Sequence, residues 1–216
     1  NERDYEQVKF FFKSGLPKYN QKDIGFYGCL YKYQSYVWYN FIIQEFDKCY
    51  SYSLKWINLF ENNPQFKLIE PSLYIKGLHN VISALFFCYD PKRFNKYQTI
   101  LNDFVDENES KFSLKTKIQA FLFTETAQLN YFFLNAEFEK GVAHLPYLEN
   151  QITHYSNYID EHRKIVFFYK MACVKFGAAD FKGCIKYLNE IINSKSTNLK
   201  EDLHCFARIL SLISHY

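Results

Sequence analysis

The chain has 216 residues, of which 48% are hydrophobic and 20% aromatic, with 23 Phe and 19 Tyr but only 7 Gly and 5 Pro. So few chain-breaking residues exclude a β-sandwich or barrel, which needs many tight turns, and favour long uninterrupted helices. The formal net charge is +3, and Lys and Arg are interspersed with Asp and Glu, so the concentrated basic stripe of a nucleic-acid reader is missing.

Taken in chain order, the predicted elements repeat. Residues 1–15 hold one helix, in which Asp4-Tyr5-Glu6-Gln7-Val8 and Phe12 match the opening of a second helix. Residues 22–62, 66–108, 113–155 and 158–194 each hold an antiparallel helix pair joined by a very short connection, and 198–216 hold one further first helix. Each second helix opens on a charged residue followed by Phe: Glu45-Phe46, Arg93-Phe94, Glu137-Phe138 and Asp180-Phe181.

The columns around these Phe residues trace helical faces. Seven and ten residues on stand Ser53 and Trp56, Leu101 and Phe104, Leu145 and Leu148, and Leu188 and Ile191. Five, nine and sixteen residues back stand Phe41, Val37 and Leu30, then Tyr89, Leu85 and Leu78, then Phe133, Leu129 and Leu122, then Phe176, Ala172 and Ile165. Tyr5, Phe46, Phe94, Phe138 and Phe181 lie 41, 48, 44 and 43 residues apart. Asp90-Pro91 predicts a helix start, with Asp as N-cap and Pro at the first position. Asn198-Leu199-Lys200-Glu201 predicts a capping box. Beginning and ending in mid-unit, the sequence reads as an excerpt of a longer protein, with uncapped ends through which copies could associate.

These columns resemble the tetratricopeptide-like helical repeat. The best unit is Met171-Ala172, Phe176, Asp180-Phe181, Cys184-Ile185 and Tyr187-Leu188, with Ala172 and Cys184 as the small residues where two helices cross. Cys49 and Gly141 take the second of these places elsewhere, whereas Tyr97 replaces a small residue. The units exceed the 34 residues of that family. The resemblance implies an all-α, right-handed α-solenoid of antiparallel hairpins, with about nine to ten helices.

Candidate chemistry is sparse. Glu201 and His204 have the Glu-x-x-His spacing of helical di-iron sites, but no second copy exists and Glu201 suits capping. Asp160-Glu161-His162-Arg163-Lys164 reads as a solvated helix start. Gly25-Phe26-Tyr27-Gly28 lacks the Lys and Ser/Thr of a phosphate loop, and Asn108-Glu109-Ser110 is a formal glycosylation sequon. The six cysteines contain no C-x-x-C pair, which fits free thiols in a reducing, cytoplasmic compartment. The longest apolar run, Val81–Tyr89, is too short to cross a bilayer. The chain starts at Asn1, so an upstream targeting segment stays open. No enzymatic activity, metal or cofactor is expected.

The remaining signal is aromatic. The helix holding Tyr27, Tyr31, Tyr33, Tyr36, Trp38, Tyr39 and Phe41 carries rings on more than one face. Either both faces pack, or one lines a groove in which Tyr and Trp anchor a partner. In the family resembled, first helices line the concave surface. The register then implies a partner-binding set of Tyr31, Gln34, Trp38, His79, Ile82, Phe86, Thr126, Asn130 and Tyr169. The expected function is a non-catalytic scaffold for a peptide or extended partner segment. The alternative is a peptide- or ligand-sensing module of a larger signalling or transcriptional protein.

Overall fold

A computed structural model describes residues 5–15, 24–194 and 201–215. All regular structure among them is helical, and the chain divides into two compact units, Asn1–Phe112 and Ser113–Tyr216. The first unit holds α1 (Tyr5–Gly15), α2 (Phe26–Ile42), α3 (Phe46–Glu61), the single turn α4 (Phe66–Ile69), α5 (Pro71–Phe87) and α6 (Pro91–Asn108). The second holds α7 (Leu114–Leu134), α8 (Phe138–His154), α9 (Glu161–Gly177), α10 (Phe181–Ile192) and α11 (Glu201–Ser214). Within each unit the helices pack in chain order, α2 on α3, α3 on α5 and α5 on α6, then α7 through α11 in succession. The chain is thus an all-α set of helical hairpins: α2–α3, α5–α6, α7–α8 and α9–α10. Asp4 and the predicted cap Asn198-Leu199-Lys200 lie outside the described residues, as does the side chain of Glu201.

The four hairpin turns share one backbone device. Each has a single residue in the left-handed region: Gln44, Tyr89, Ala136 and Ala179, with φ of 60°, 53°, 52° and 57°. The amide of the next residue donates five residues back, Glu45 to Asn40 (2.9 Å), Asp90 to Leu85 (3.1 Å), Glu137 to Phe132 (3.0 Å) and Asp180 to Lys175 (2.9 Å). The left-handed residue itself donates three back, to Phe41, Phe86, Phe133 and Phe176. This pairing is a Schellman motif, and it satisfies carbonyls that a helix end would otherwise strand. The donor that closes it is acidic in every case and is also the residue before the next helix. Asp90 and Asp180 go further and accept from the amides of Arg93 (2.8 Å) and Gly183 (2.9 Å).

This turn corrects the register of the second hairpin. In the other three, the helix after the turn starts at Phe46, Phe138 or Phe181, two residues beyond the left-handed one. By the same rule α6 starts at Pro91, as the Asp90-Pro91 signal predicts, and Phe94 stands nearly one turn inside it. Phe94 therefore shares its column with Cys49, Gly141 and Cys184, all buried. The alignment on Arg93-Phe94 is three residues late. With Pro91 as origin, the residues five back become Phe41, Phe86, Phe133 and Phe176, and those nine back become Val37, Ile82, Leu129 and Ala172. Those sixteen back become Leu30, Ile75, Leu122 and Ile165. The last two columns are buried throughout.

The hairpins pack through these columns, each fully buried Leu, Ile or Phe contributing about 1.5–3 kcal/mol. Where a second helix meets the first helix of the next hairpin, aromatic rings and small residues alternate. Phe46 stacks on Phe87 with centroids 4.4 Å apart. Gly141 lies under Val174, whose Cγ1 would sit 2.8 Å from an added β-carbon. On α11, Ala207 and Ser214 face inward and Ser214 donates to Cys184 Sγ at 3.5 Å, whereas Phe206, Ile209, Leu212 and Ile213 are exposed.

Candidate partner-binding face

In the first unit, α2 divides its aromatics between packing and solvent. Tyr36 stacks on Tyr52 at 4.4 Å, Tyr39 on Phe12 at 4.0 Å, and Phe41 meets Phe46 and Phe87 at 6.1 and 6.5 Å. These are packing residues. Tyr27, Tyr31 and Trp38 instead stay 41%, 55% and 51% exposed. Tyr27 is steadied at one end, where its hydroxyl donates to Glu70 Oε1 at 3.0 Å, and its ring lies 6.4 Å from that of Tyr31. Lys76 of α5 reaches over the indole of Trp38, its Nζ 4.7 Å from the ring centroid. Burial holds the Lys76 ammonium below the ordinary lysine range.

The other expected residues of this unit stand differently. Gln34 is buried beside the core residue Val37. His79 and Phe86 are half-buried, and Phe86 packs edge-on to Phe87 at 5.5 Å. Ile82 is a core residue, 1% exposed. The register slip explains this: Ile82 belongs with Val37, Leu129 and Ala172, and Phe86 with the Phe column of the turn. The residues that share columns with Tyr31, Gln34 and Trp38 are Lys76, His79 and Ser83. Lys76 was therefore hidden by three residues of misalignment, and the Asp90-Pro91 helix start was the signal that could have revealed it.

In the second unit the expected polar residues are engaged within the fold. The Thr126 hydroxyl donates to the Leu122 carbonyl of its own helix at 2.7 Å. Asn130 is buried, and its Oδ1 accepts from Lys170 Nζ at 2.6 Å, tying α7 to α9. Burial lowers the Lys170 amine to about 8, and the amine stands 5.5 Å from the Phe133 ring centroid. Tyr169 is half-buried and hydrogen-bonds Cys173, and burial pushes its hydroxyl up to about 12 and the Cys173 thiol up to about 11. Another inward pair, His144 Nε2 and Glu125 Oε2, lies 2.6 Å apart between α7 and α8. A cleft of about 360 Å³ between α8 and α10 is lined by Glu149, Phe168, Tyr187 and Glu190. Its Glu149 is already engaged by the Tyr187 hydroxyl at 2.8 Å and by Lys186 at 3.5 Å.

Two sequence signals find bland settings. Asn108 of the sequon is buried, and its Nδ2 donates to the Phe104 carbonyl at 3.0 Å, so the amide is occupied inside the fold. Burial raises the Cys49 thiol to about 12, and all six cysteines are free. No group of three His, Cys, Asp or Glu among the described residues is placed to hold a metal ion. Among the described residues no helix is long and apolar enough to cross a membrane. No protein-family model matches the chain, and neither does any curated protein or solved structure.

Proposed function

We propose that this chain is a non-catalytic interaction scaffold of tetratricopeptide-like build, which holds a peptide or extended segment of a partner protein against its first helices. The observation that carries the reading is the row of exposed rings on α2. Tyr27, Tyr31 and Trp38 stay about half exposed while their neighbours Tyr36, Tyr39 and Phe41 pack. Large rings with polar tips are the side chains that most often anchor a partner, because they bury much area at little entropic cost. In the second unit Thr126 is spent on its own helix and Asn130 on holding α7 to α9, so the first unit supplies the anchors. The six free thiols suit a reducing, cytoplasmic setting.

Peptide-array binding to the purified chain, read by a change in Trp38 emission, tests the reading. Binding that is lost in Trp38→Ala, with the fold intact, supports it. An array on which no peptide binds, or binding indifferent to both Trp38→Ala and Tyr31→Ala, would sink it.

A further inference from the structure

The charge on the aromatic face narrows what it can hold. The two helices that build it, α2 and α5, contain no Asp or Glu, their lysines are Lys32 and Lys76, and Glu70, at the edge of the face, is engaged by the Tyr27 hydroxyl at 3.0 Å. Lys76 does not extend into open water. It lies over the Trp38 ring at 4.7 Å, half-buried, and burial alone shifts its ammonium, with no acid offsetting the loss of water. Among the described residues no carboxylate pairs with it. An indole face compensates a cation only in part, and a partly desolvated ammonium gains more from a charge-assisted hydrogen bond to a carboxylate.

The spacing along α2 adds a second constraint. Tyr31 and Trp38 are seven residues apart, two helical turns, so they share a face at about 10 Å. About three residues of polyproline-II chain span that distance at roughly 3.1 Å each, and its three-residue turn returns the side chain to the same side.

Building on the scaffold reading, we infer that the partner segment is acidic and extended in the polyproline-II manner, with two apolar side chains about three residues apart on one side and an Asp or Glu beside the one that meets Trp38. The apolar groups lie on Tyr31 and Trp38, and the carboxylate accepts from Lys76 Nζ. Single-stranded nucleic acid also offers anions and flat rings, but it would need more cations than this face presents.

An array of ten-residue peptides tests this, with two Phe spaced two to four residues apart and either Glu or Gln following the second. An oligothymidylate serves as the nucleic-acid arm. The Glu peptide with a three-residue spacing is expected to bind about tenfold tighter than its Gln twin at low salt. In Lys76→Met, which keeps the apolar stem over Trp38, the preference for Glu disappears, and in Lys76→Arg it persists. Equal binding of the Glu and Gln twins, or a preference that survives in Lys76→Met, overturns the acidic assignment while leaving the scaffold reading standing. Tighter binding of the oligothymidylate than of every peptide overturns it in favour of nucleic acid. If no peptide alters Trp38 emission, the scaffold reading falls too.

Discussion

The indole of Trp56 lies against the bare backbone of Gly77: a β-carbon there would stand 3.0 Å from both its Cδ1 and its Nε1, and 2.8 Å from Cδ1 of Ile57. Trp56 is fully buried, so it has nowhere to retreat. Gly77→Ala is expected to destabilise the protein by about 1–3 kcal/mol through overpacking between α3 and α5. Thermal unfolding checks it, and a midpoint equal to or above that of the parent would show that the α3–α5 contact is looser than described.

At two hairpin turns, Ala136 and Ala179 hold positive φ. A left-handed conformation costs a residue with a β-carbon about 1–2 kcal/mol, and glycine gives back part of that through its greater freedom when unfolded. Ala136→Gly and Ala179→Gly should each raise stability by roughly 0.5–1 kcal/mol. Denaturant unfolding of the single and double variants measures it. Destabilisation by both would contradict the turn geometry.

Emission spectroscopy separates the two tryptophans. Trp56 is sealed in the core and Trp38 is half exposed. Acrylamide should quench one part of the fluorescence readily and leave the rest protected, and Trp38→Phe should remove the quenchable part. A quenchable residue left after that substitution would place Trp56 in solvent.

Lys170 makes a prediction about pH. Burial lowers its amine from the ordinary 10.5 to about 8 in the folded chain. Below pH 8 both states carry the proton and the folded state bears the full cost of burying the charge. From pH 8 upward the folded state releases the proton while the unfolded state keeps it, so the site gains stability as pH rises towards 10.5. Cysteine and tyrosine titrations overlap this window, so the comparison is with Lys170→Met. The parent's stability relative to this variant should rise between pH 8 and pH 10. A flat difference would mean that the amine is solvated.

Much of the fold was legible because helix starts carry side-chain signals. Asp90-Pro91 and Asp160 act as their residue types predict, and Asp160 accepts from the Arg163 amide at 2.9 Å. The second hairpin's register was misread because Arg93-Phe94 imitates the charged-Phe opening nearly one turn inside the helix. The left-handed residue that fixes the register is Gln, Tyr, Ala and Ala in turn, so its own type marks nothing; the acid after it, Glu45, Asp90, Glu137 or Asp180, is the mark. The face was half legible. Tyr31 and Trp38 are exposed, one of the two outcomes their pattern leaves open, but Asn130 is covered by Lys170, forty residues further along the chain. A contact at that separation leaves no periodic trace.

The recurring turn bears on how such a chain can change over time. Its bend is secured by main-chain amides and carbonyls, which every residue but proline supplies alike. Hairpins can therefore differ in nearly every side chain and still fold back at the same place.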